Sequence, residues 1–553
     1  MFCSNCGKEI ADTSTICPFC RESVTPMGVQ AQGQALPAKK SRLPLILAGC
    51  AGLFAVVVLL VIFLMRGSRT GSGSGNYMRM GALIYTINVG EEAGVVFENG
   101  KEPIDFPVDG HPSMITYSFD RTAIAAVVRE TDSGNGTLVY YGDGEITGVD
   151  DDVSWAAVAP AGKGAVYVKG SHEARELWIW DGEETMRLTR MYTPGNKRDY
   201  GGAVFSPDGT KLLYLEENRD GMSLMLYDGK ESTEIETDDY LCPVMVSNDA
   251  KLVYYLSENR AGDPVLCLYD GKEIRDLSKV TTYTNYAYYY FNADATQLIF
   301  TDDKDDLRIV IGGGEPEKLA GSDFTMTAPV LMMRYATTNH ETYAMVYGVK
   351  TFADTYYYDY SDGSFYRIGR DFKTEKKARR GTGYIISEDN RSVIYEKSNG
   401  DLVRLDLTGE KGEETVLFED SHEWMSASLD NRVVVLMSED HAVYYIDASG
   451  ESVELTGKDG VDMSGGRYNR SVIPVLCYHM PSDTVFFAEQ GVIYASEGGG
   501  VPEKVGGLEG DAYALYGNEF GVYIWTEGGE YDRLYYSADG VTFDLILDDV
   551  NER

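Results

Sequence analysis

Four cysteines lie within the first twenty residues, as Cys3-Ser-Asn-Cys6 and Cys17-Pro-Phe-Cys20, with ten residues between the pairs. Each CxxC makes a tight knuckle that presents two thiolates to one ion, and two knuckles complete a tetrahedral all-sulfur site for Zn2+. With Cys3, Cys6, Cys17 and Cys20 all bound, no coordination position stays open, so the expected role is structural. A redox pair is the rival use of CxxC, but so short a segment has no βαβ pattern to carry one. Only a small hairpin fits between the knuckles, so metal binding must supply most of the folding free energy, on the order of 10 kcal/mol.

Little else in the chain has the residue types and spacing for chemistry. There is no Gly-x-Ser-x-Gly for a serine nucleophile and no His-Glu-x-x-His for a catalytic metal. His340-Glu341 and His422-Glu423 lack a second histidine at helical spacing and read as surface or strand residues. Asp150-Asp-Asp152 and Asp302-Asp-Lys-Asp-Asp306 lack the alternating acids and glycine of a calcium loop and read as solvated turns. Aromatic runs at 283–291 and 356–360 fit either a ligand groove or strands packed against strands, and the second is expected. Cys242, Cys267 and Cys477 are too sparse for a disulfide framework; Cys242 and Cys267 would pair only if the fold brought them together, and buried thiols are expected.

The elements that must position these residues begin with an uncharged run of 23 residues, 43–65. As a helix it would reach about 35 Å, enough to cross a hydrocarbon core of about 30 Å. A buried core helix is rarely so long and uninterrupted. Leu47-Ala-Gly-Cys50 resembles a lipoprotein cleavage box, but seven apolar residues precede Cys50 and fifteen follow it, the reverse of a cleaved signal. Cys50 is therefore read as an ordinary helix residue. Lys39, Lys40 and Arg42 before the run narrowly outweigh Arg66 and Arg69 after it. Thiolate ligands survive best in a reducing compartment, so the N-terminus is placed in the cytosol and residues 67–553 outside.

The ribbon carries a resemblance of its own. Cys6-Gly7-Lys8 and Cys17-Pro18 are similar to the short zinc ribbons at the N-termini of many bacterial membrane proteins. The organisation expected is a ribbon at 1–22, a linker at 23–42, a transmembrane helix at 43–65, a Gly/Ser tether at 66–79 and a large domain at 80–550.

Charge excludes one class of partner. Residues 1–70 carry seven Lys/Arg and three acids, so the chain's total of −38 places −42 beyond them. So acidic a domain repels polyphosphate, and the ribbon has only Lys8 and Arg21 against Glu9, Asp12 and Glu22, so nucleic acid is not an expected partner. The run Lys373-Thr-Glu-Lys-Lys-Ala-Arg-Arg380 is the basic exception and reads as an exposed loop.

The large domain is repetitive. Phe205-Ser-Pro-Asp-Gly-Thr210 leads into Lys211-Leu-Leu-Tyr-Leu215 and later Leu224-Met-Leu-Tyr-Asp-Gly-Lys230. The pattern recurs as Val246-Ser-Asn-Asp-Ala250, Leu252-Val-Tyr-Tyr-Leu256 and Leu266-Cys-Leu-Tyr-Asp-Gly-Lys272. Related copies begin near Tyr117, Val158, Phe291, Ser387, Ser428 and Tyr478. The Ser-Pro-Asp-Gly turn is expected to launch a β-branched, Tyr-rich inner strand, and a second strand is expected to end in Asp-Gly, the tight hairpin turn into a third. One such unit cannot bury both its faces alone, so units pack radially. The pattern resembles the WD40-like repeats of the TolB type, which implies an all-β propeller and a binding role. About ten or eleven units of ~40 residues fit, more than the usual ring, so either one large ring or two rings is expected, with 321–383 the natural seam between two. Ser537-Ala-Asp-Gly-Val-Thr-Phe543 also resembles an Asp-box turn, another propeller feature.

The expected function is a membrane-anchored, non-enzymatic binding or scaffolding protein. Its propeller would take a protein, peptide or glycan ligand outside the cell, and its ribbon would contact a cytosolic protein. The alternative is an envelope enzyme acting on glycans or peptides through loop carboxylates that no linear motif reveals.

Overall fold

A computed structural model of the chain describes residues 84–550 with interruptions, among them 194–201, 281–288, 327–334 and 466–471. The ribbon, the linker, the 43–65 run and the tether lie outside the described residues. The chain divides into two compact units, 1–74 and 75–553, and all described residues belong to the second.

The regular elements among the described residues are all strands apart from one 3-10 turn, Met480–Ser482. Most strands form four-stranded antiparallel meanders that follow one another along the chain. Sheet A (84–105) has three strands. It is followed by B (111–150), C (153–189), D (203–238), E (241–279), F (289–320), G (324–378), H (381–418), I (422–454), J (476–504) and K (511–550). B and C share the strand Glu145–Val158, whose first half pairs with Gly136–Gly142 and second half with Ala165–Lys169. Asp152, with φ +61°, sits at the changeover.

Sheet E shows the plan of a unit. Its first strand, Leu241–Val246, is buried throughout, and its fourth, Ile274–Lys279, is largely exposed. The second strand is buried on both faces, which explains why Val253-Tyr-Tyr-Leu256 is continuously apolar rather than alternating. Tyr254 and Leu256 pack towards sheet F with Phe291 and Phe300, whereas Val253 and Tyr255 pack towards sheet D with Leu213 and Leu215. The same division recurs along the series. Leu212 and Tyr214 of D face C, Val434 and Leu436 of I face H, and Val435 and Met437 face J. Each fully buried aromatic contributes about 1.5–3 kcal/mol, so the stability resides in these inter-sheet layers. Meanders stacked face to face in chain order are the blades of a β-propeller.

The stretch 321–383 contains sheet G and, between its first strand Phe324–Met326 and its second Thr355–Asp359, the short strands Tyr335–Thr337, His340–Thr342 and Ala344–Val346. Tyr290, Ile299 and Ile309 of F share a buried cluster with Phe352, Tyr357 and Ile368, so G packs on F within that stretch. At the ends of the series, Ile104 of A packs on Ile124 and Tyr141 of B. The strand Ile84–Val89 also lies against Asp544–Val550 of K.

The repeated turn joins the first strand of each sheet to the second, so the strand it launches is not the innermost one expected from the sequence. The true first strand of D, Ala203–Phe205, has three residues, too few for a pattern to announce it. In the turn, Ser206 donates to Asp208 at 2.6 Å and accepts from the Lys211 amide at 3.0 Å. Ser247 with Asp249, Ser387 with Asp389 and Ser428 with Asp430 repeat the contact. The fourth turn residue is left-handed in each, with φ of +73° at Gly209, +58° at Ala250, +58° at Asn390 and +56° at Asn431. The Asp-Gly turns join third to fourth strands. There Asp228 accepts the Lys230 and Glu231 amides, and these bonds hold its carboxyl below the usual range.

Candidate ligand-binding wall

The first strands of the sheets differ in one respect that bears on function. Ala203–Phe205, Leu241–Val246 and Tyr289–Phe291 are fully buried. Gly381–Ile386 of sheet H and His422–Ala427 of sheet I are mostly half-exposed. In sheets F and B the chain supplies its own cover. Ala344–Val346 pairs in parallel with Tyr289–Phe291 on the side away from sheet F's second strand, and Tyr335–Thr337 lies against His111–Tyr117 and Glu145–Val158. Near sheet K, the strand Met463–Gly465 lies against Asp511–Gly517.

The half-exposed wall centres on His422-Glu-Trp-Met-Ser-Ala427. Trp424 packs partly into the layer between sheets I and J and stays half-exposed. Glu423 approaches His441 Nε2 at 3.4 Å, and His441 Nδ1 lies 3.8 Å from Asp459. A bulge at Glu423 separates His422 from the regular register of Trp424 to Ala427 with Met437 to Val434. On sheet H, Tyr384 is committed to packing: it stacks on Phe365 and Tyr395 at 4.8 and 5.0 Å, and its hydroxyl donates to the Gly363 carbonyl. The wall thus offers an indole edge, a carboxylate and main-chain groups, which is the chemistry of recognition.

The residues singled out in the sequence are distributed as follows. Cys3, Cys6, Cys17 and Cys20 lie outside the described residues, as does the 43–65 run. Among the described residues no helix is long and apolar enough to cross a membrane, and no group of His, Cys, Asp and Glu is arranged to hold a metal. In the Asp302 loop, Asp303, Lys304 and Asp305 form an exposed turn as expected, but Asp302 itself does not face solvent. Asp302 is buried, accepting the Lys304 and Asp306 amides and Arg308 Nε at 2.8 Å. Burial pushes its carboxyl up, but these donors outweigh it and hold the group below its ordinary value. Asp306 is taken by Lys318 at 2.7 Å. Asp150 binds Tyr167 and Lys169, Asp151 binds Thr137, and Asp152 binds Asn135.

Of the aromatic runs, 283–288 lies outside the described residues, while Tyr289, Tyr290 and Phe291 are buried strand residues facing sheets E and G in turn. Tyr356 and Tyr357 likewise divide between neighbouring layers. The basic run is the outer strand Thr374–Ala378, not a loop. Lys377 pairs with Glu375, and Lys376 sits 4.9 Å from the Tyr366 ring. Cys242 and Cys267 are free, buried and in different layers, so the two thiols face away from each other across the sheet. The turn of Ser537, Asp539 and Gly540 packs over His479 and Phe486 of sheet J. His479 is buried, and the Ser482 hydroxyl lies 2.7 Å from its Nδ1.

Trp424 was not singled out by sequence reasoning. The available signal was composition: His422-Glu-Trp-Met-Ser-Ala427 occupies the place of Leu241-Cys-Pro-Val-Met-Val246, and its polarity marks a first strand that is not covered.

No protein-family model and no curated protein matches the chain. Solved structures similar to it include TolB from Acinetobacter baumannii, at 12% identity over 44% of this chain and 65% of that one, with a TM-score of 0.26. The chain thus spans under two thirds of that protein's length. The β-propeller domain of the Trilobed protease from Pyrococcus furiosus is similar at 14% identity over 63% of this chain and 98% of that one, with a TM-score of 0.27. A putative TolB from Agrobacterium tumefaciens is similar at 16% identity over 39% and 84%, with a TM-score of 0.25.

Proposed function

We propose that this chain is a membrane-anchored, non-enzymatic binding protein that takes a protein or peptide ligand along the first strands of sheets H and I. The helix 43–65 anchors it, the domain beyond residue 80 lies outside the cell, and Cys3, Cys6, Cys17 and Cys20 hold a structural Zn2+ in the cytosol, where the ribbon meets a protein partner. The observation that supports the ligand site is the half-exposed His422–Ala427, where the corresponding strands of sheets D, E and F are buried. Propeller channels gather inner strands from several blades around one axis, which suits recognition. An enzyme working through loop carboxylates has less behind it, because Asp150, Asp302 and Asp306 are each engaged by neighbouring donors.

The test is full-length chain in detergent on peptide and glycan arrays, with Trp424→Ala alongside. Ligands retained by the parent chain and lost by the variant support the wall. Equal binding by both places the site elsewhere. Protease shaving of intact cells, read with antibodies to each end, tests the orientation: loss of the C-terminal epitope with survival of the ribbon agrees with it, and the converse reverses it.

A further inference from the structure

We infer that the edge of His422–Ala427 binds an extended peptide by adding it as a parallel strand, the mode in which the chain's own residues 344–346 occupy sheet F. The inference rests on the proposed wall and specifies how the ligand is held. In sheet F the register is Tyr289 with Ala344, Tyr290 with Met345 and Phe291 with Val346, all parallel, while the other connections within the meanders are antiparallel. A first strand of this protein therefore accepts a fifth strand on its open side.

Sheet I has the same open side without the fifth strand. His422–Ala427 ends its sheet, hydrogen-bonded to Val434–Ser438 alone among the described residues. A strand edge presents a row of donors and acceptors that would template pairing, and proteins usually blunt such edges with charged residues, proline or bulges. In His422–Ala427 the charge and the bulge both fall at Glu423, and the four residues Trp424–Ala427 beyond it are uncharged and regular. Sheet H is less suited, because the carbonyl of Ile385 is already taken by Asn431 Nδ2 at 3.0 Å.

The occupant of sheet F indicates the chemistry of the ligand. That occupant is Ala344-Met-Val346, and the sequence around it, Thr342-Tyr-Ala-Met-Val-Tyr-Gly-Val-Lys350, is mostly apolar and uncharged up to its lysine. Main-chain bonds would supply affinity, and alternate apolar side chains would meet Trp424 or its neighbours. A basic flank would suit an acidic domain through long-range attraction. The partner is thus an extended apolar segment with a cationic end.

The probe is a fluorescein-labelled peptide of residues 342–350, titrated by anisotropy against the full-length chain, beside two copies N-methylated at the odd-numbered and at the even-numbered residues, since only one set of N–H groups faces the edge. Saturable binding that N-methylation weakens about tenfold or more supports strand addition, since the methyl groups remove main-chain donors and leave the side chains. Amide exchange at saturation should show new protection at 422–427 and none at 289–291. Equal binding of both methylated peptides overturns strand addition while leaving a side-chain site at Trp424 standing. Protection at 289–291 instead means that the peptide displaces the chain's own strand, and overturns the assignment to sheet I. No binding overturns the inference, whereas array ligands lost with Trp424→Ala would still uphold the wall.

Discussion

The phenol of Tyr445 in sheet I donates to Asp483 in sheet J across 2.8 Å, and Tyr478 donates to the other carboxylate oxygen at the same distance. Asp483 itself is left-handed, with φ +49°, where the 3-10 turn ends. One carboxylate therefore ties the layer between two sheets to the turn that stands in for Ser-Pro-Asp-Gly in sheet J. Asp483→Ala leaves two buried phenols short of an acceptor and replaces aspartate by a residue that tolerates the left-handed region less well, a loss of about 2–4 kcal/mol. Asp483→Asn, which tolerates the left-handed region, should lose less than half as much. Denaturant midpoints of the two variants check the order.

The turn of sheet D predicts an asymmetry. A β-carbon on Gly209, at φ +73°, would sit 3.1 Å from that of Ala159 and 3.4 Å from Pro160 Cδ in the preceding turn. Gly209→Ala should destabilise by about 1–2 kcal/mol. The reverse change at the equivalent Ala250, φ +58°, should be near neutral. Relief of backbone strain is offset there by extra freedom in the unfolded chain and a lost methyl contact. Melting temperatures of the two variants test this.

Tyrosine ionisation should set the alkaline limit. Burial pushes the Tyr356 phenol up to about 12. It pushes Tyr167 and Tyr478 further, helped by hydrogen bonds to Asp150 and Asp483. These groups keep their protons in the fold above pH ~10, where the unfolded chain gives them up. Their contribution is therefore complete below about pH 10 and falls by roughly 1.4 kcal/mol per pH unit per tyrosine above it. Absorbance titration of phenolate, run beside unfolding, should show late ionisation coinciding with loss of structure. Full titration near pH 10 in the folded state would contradict the burial described.

Thiol chemistry separates the two parts of the chain. Burial pushes Cys242 up to about 12 and raises Cys267 and Cys477 further, with Asp276 adding to the effect at Cys267. All three should resist DTNB until the domain unfolds. The expected zinc content is one ion per chain by mass spectrometry. Cys3→Ser or Cys17→Ser should abolish it without moving the unfolding midpoint of the β domain. A metal-free parent chain would remove the ribbon from the proposed function.

The blades were legible where the turn kept its full chemistry. Ser206 and Ser247, forty-one residues apart, announced sheets D and E, and the fainter copies near Ser387 and Ser428 fall on turns with the same serine-to-aspartate bond. Sheet G escaped because its turn is Phe352-Ala-Asp354 and lacks the serine, although Asp354 keeps the left-handed φ of +63°. Pattern also could not show that Tyr335–Thr337 lies against sheet B and Ala344–Val346 against the first strand of F, since that depends on where the strands lie and not on their alternation. The wall was hidden for a related reason. An uncovered first strand is distinguished from a covered one only by what lies beside it, and His422-Glu423 alone reads as an ordinary edge.

Sheet A meets B at one side and K at the other, and these neighbours become available at very different moments. The strand Ile84–Val89 is made early, while Asp544–Val550 follows more than 450 residues later. At ribosomal speeds of about 5–20 residues per second, that separation is roughly 25–90 s. Every other layer can assemble from consecutive sheets as they emerge, so the nascent protein grows as an open stack with one sheet held in reserve. A chain that ends before residue 544, through a nonsense codon or a nick, would keep nearly all its blades and still leave both ends of the stack unsealed.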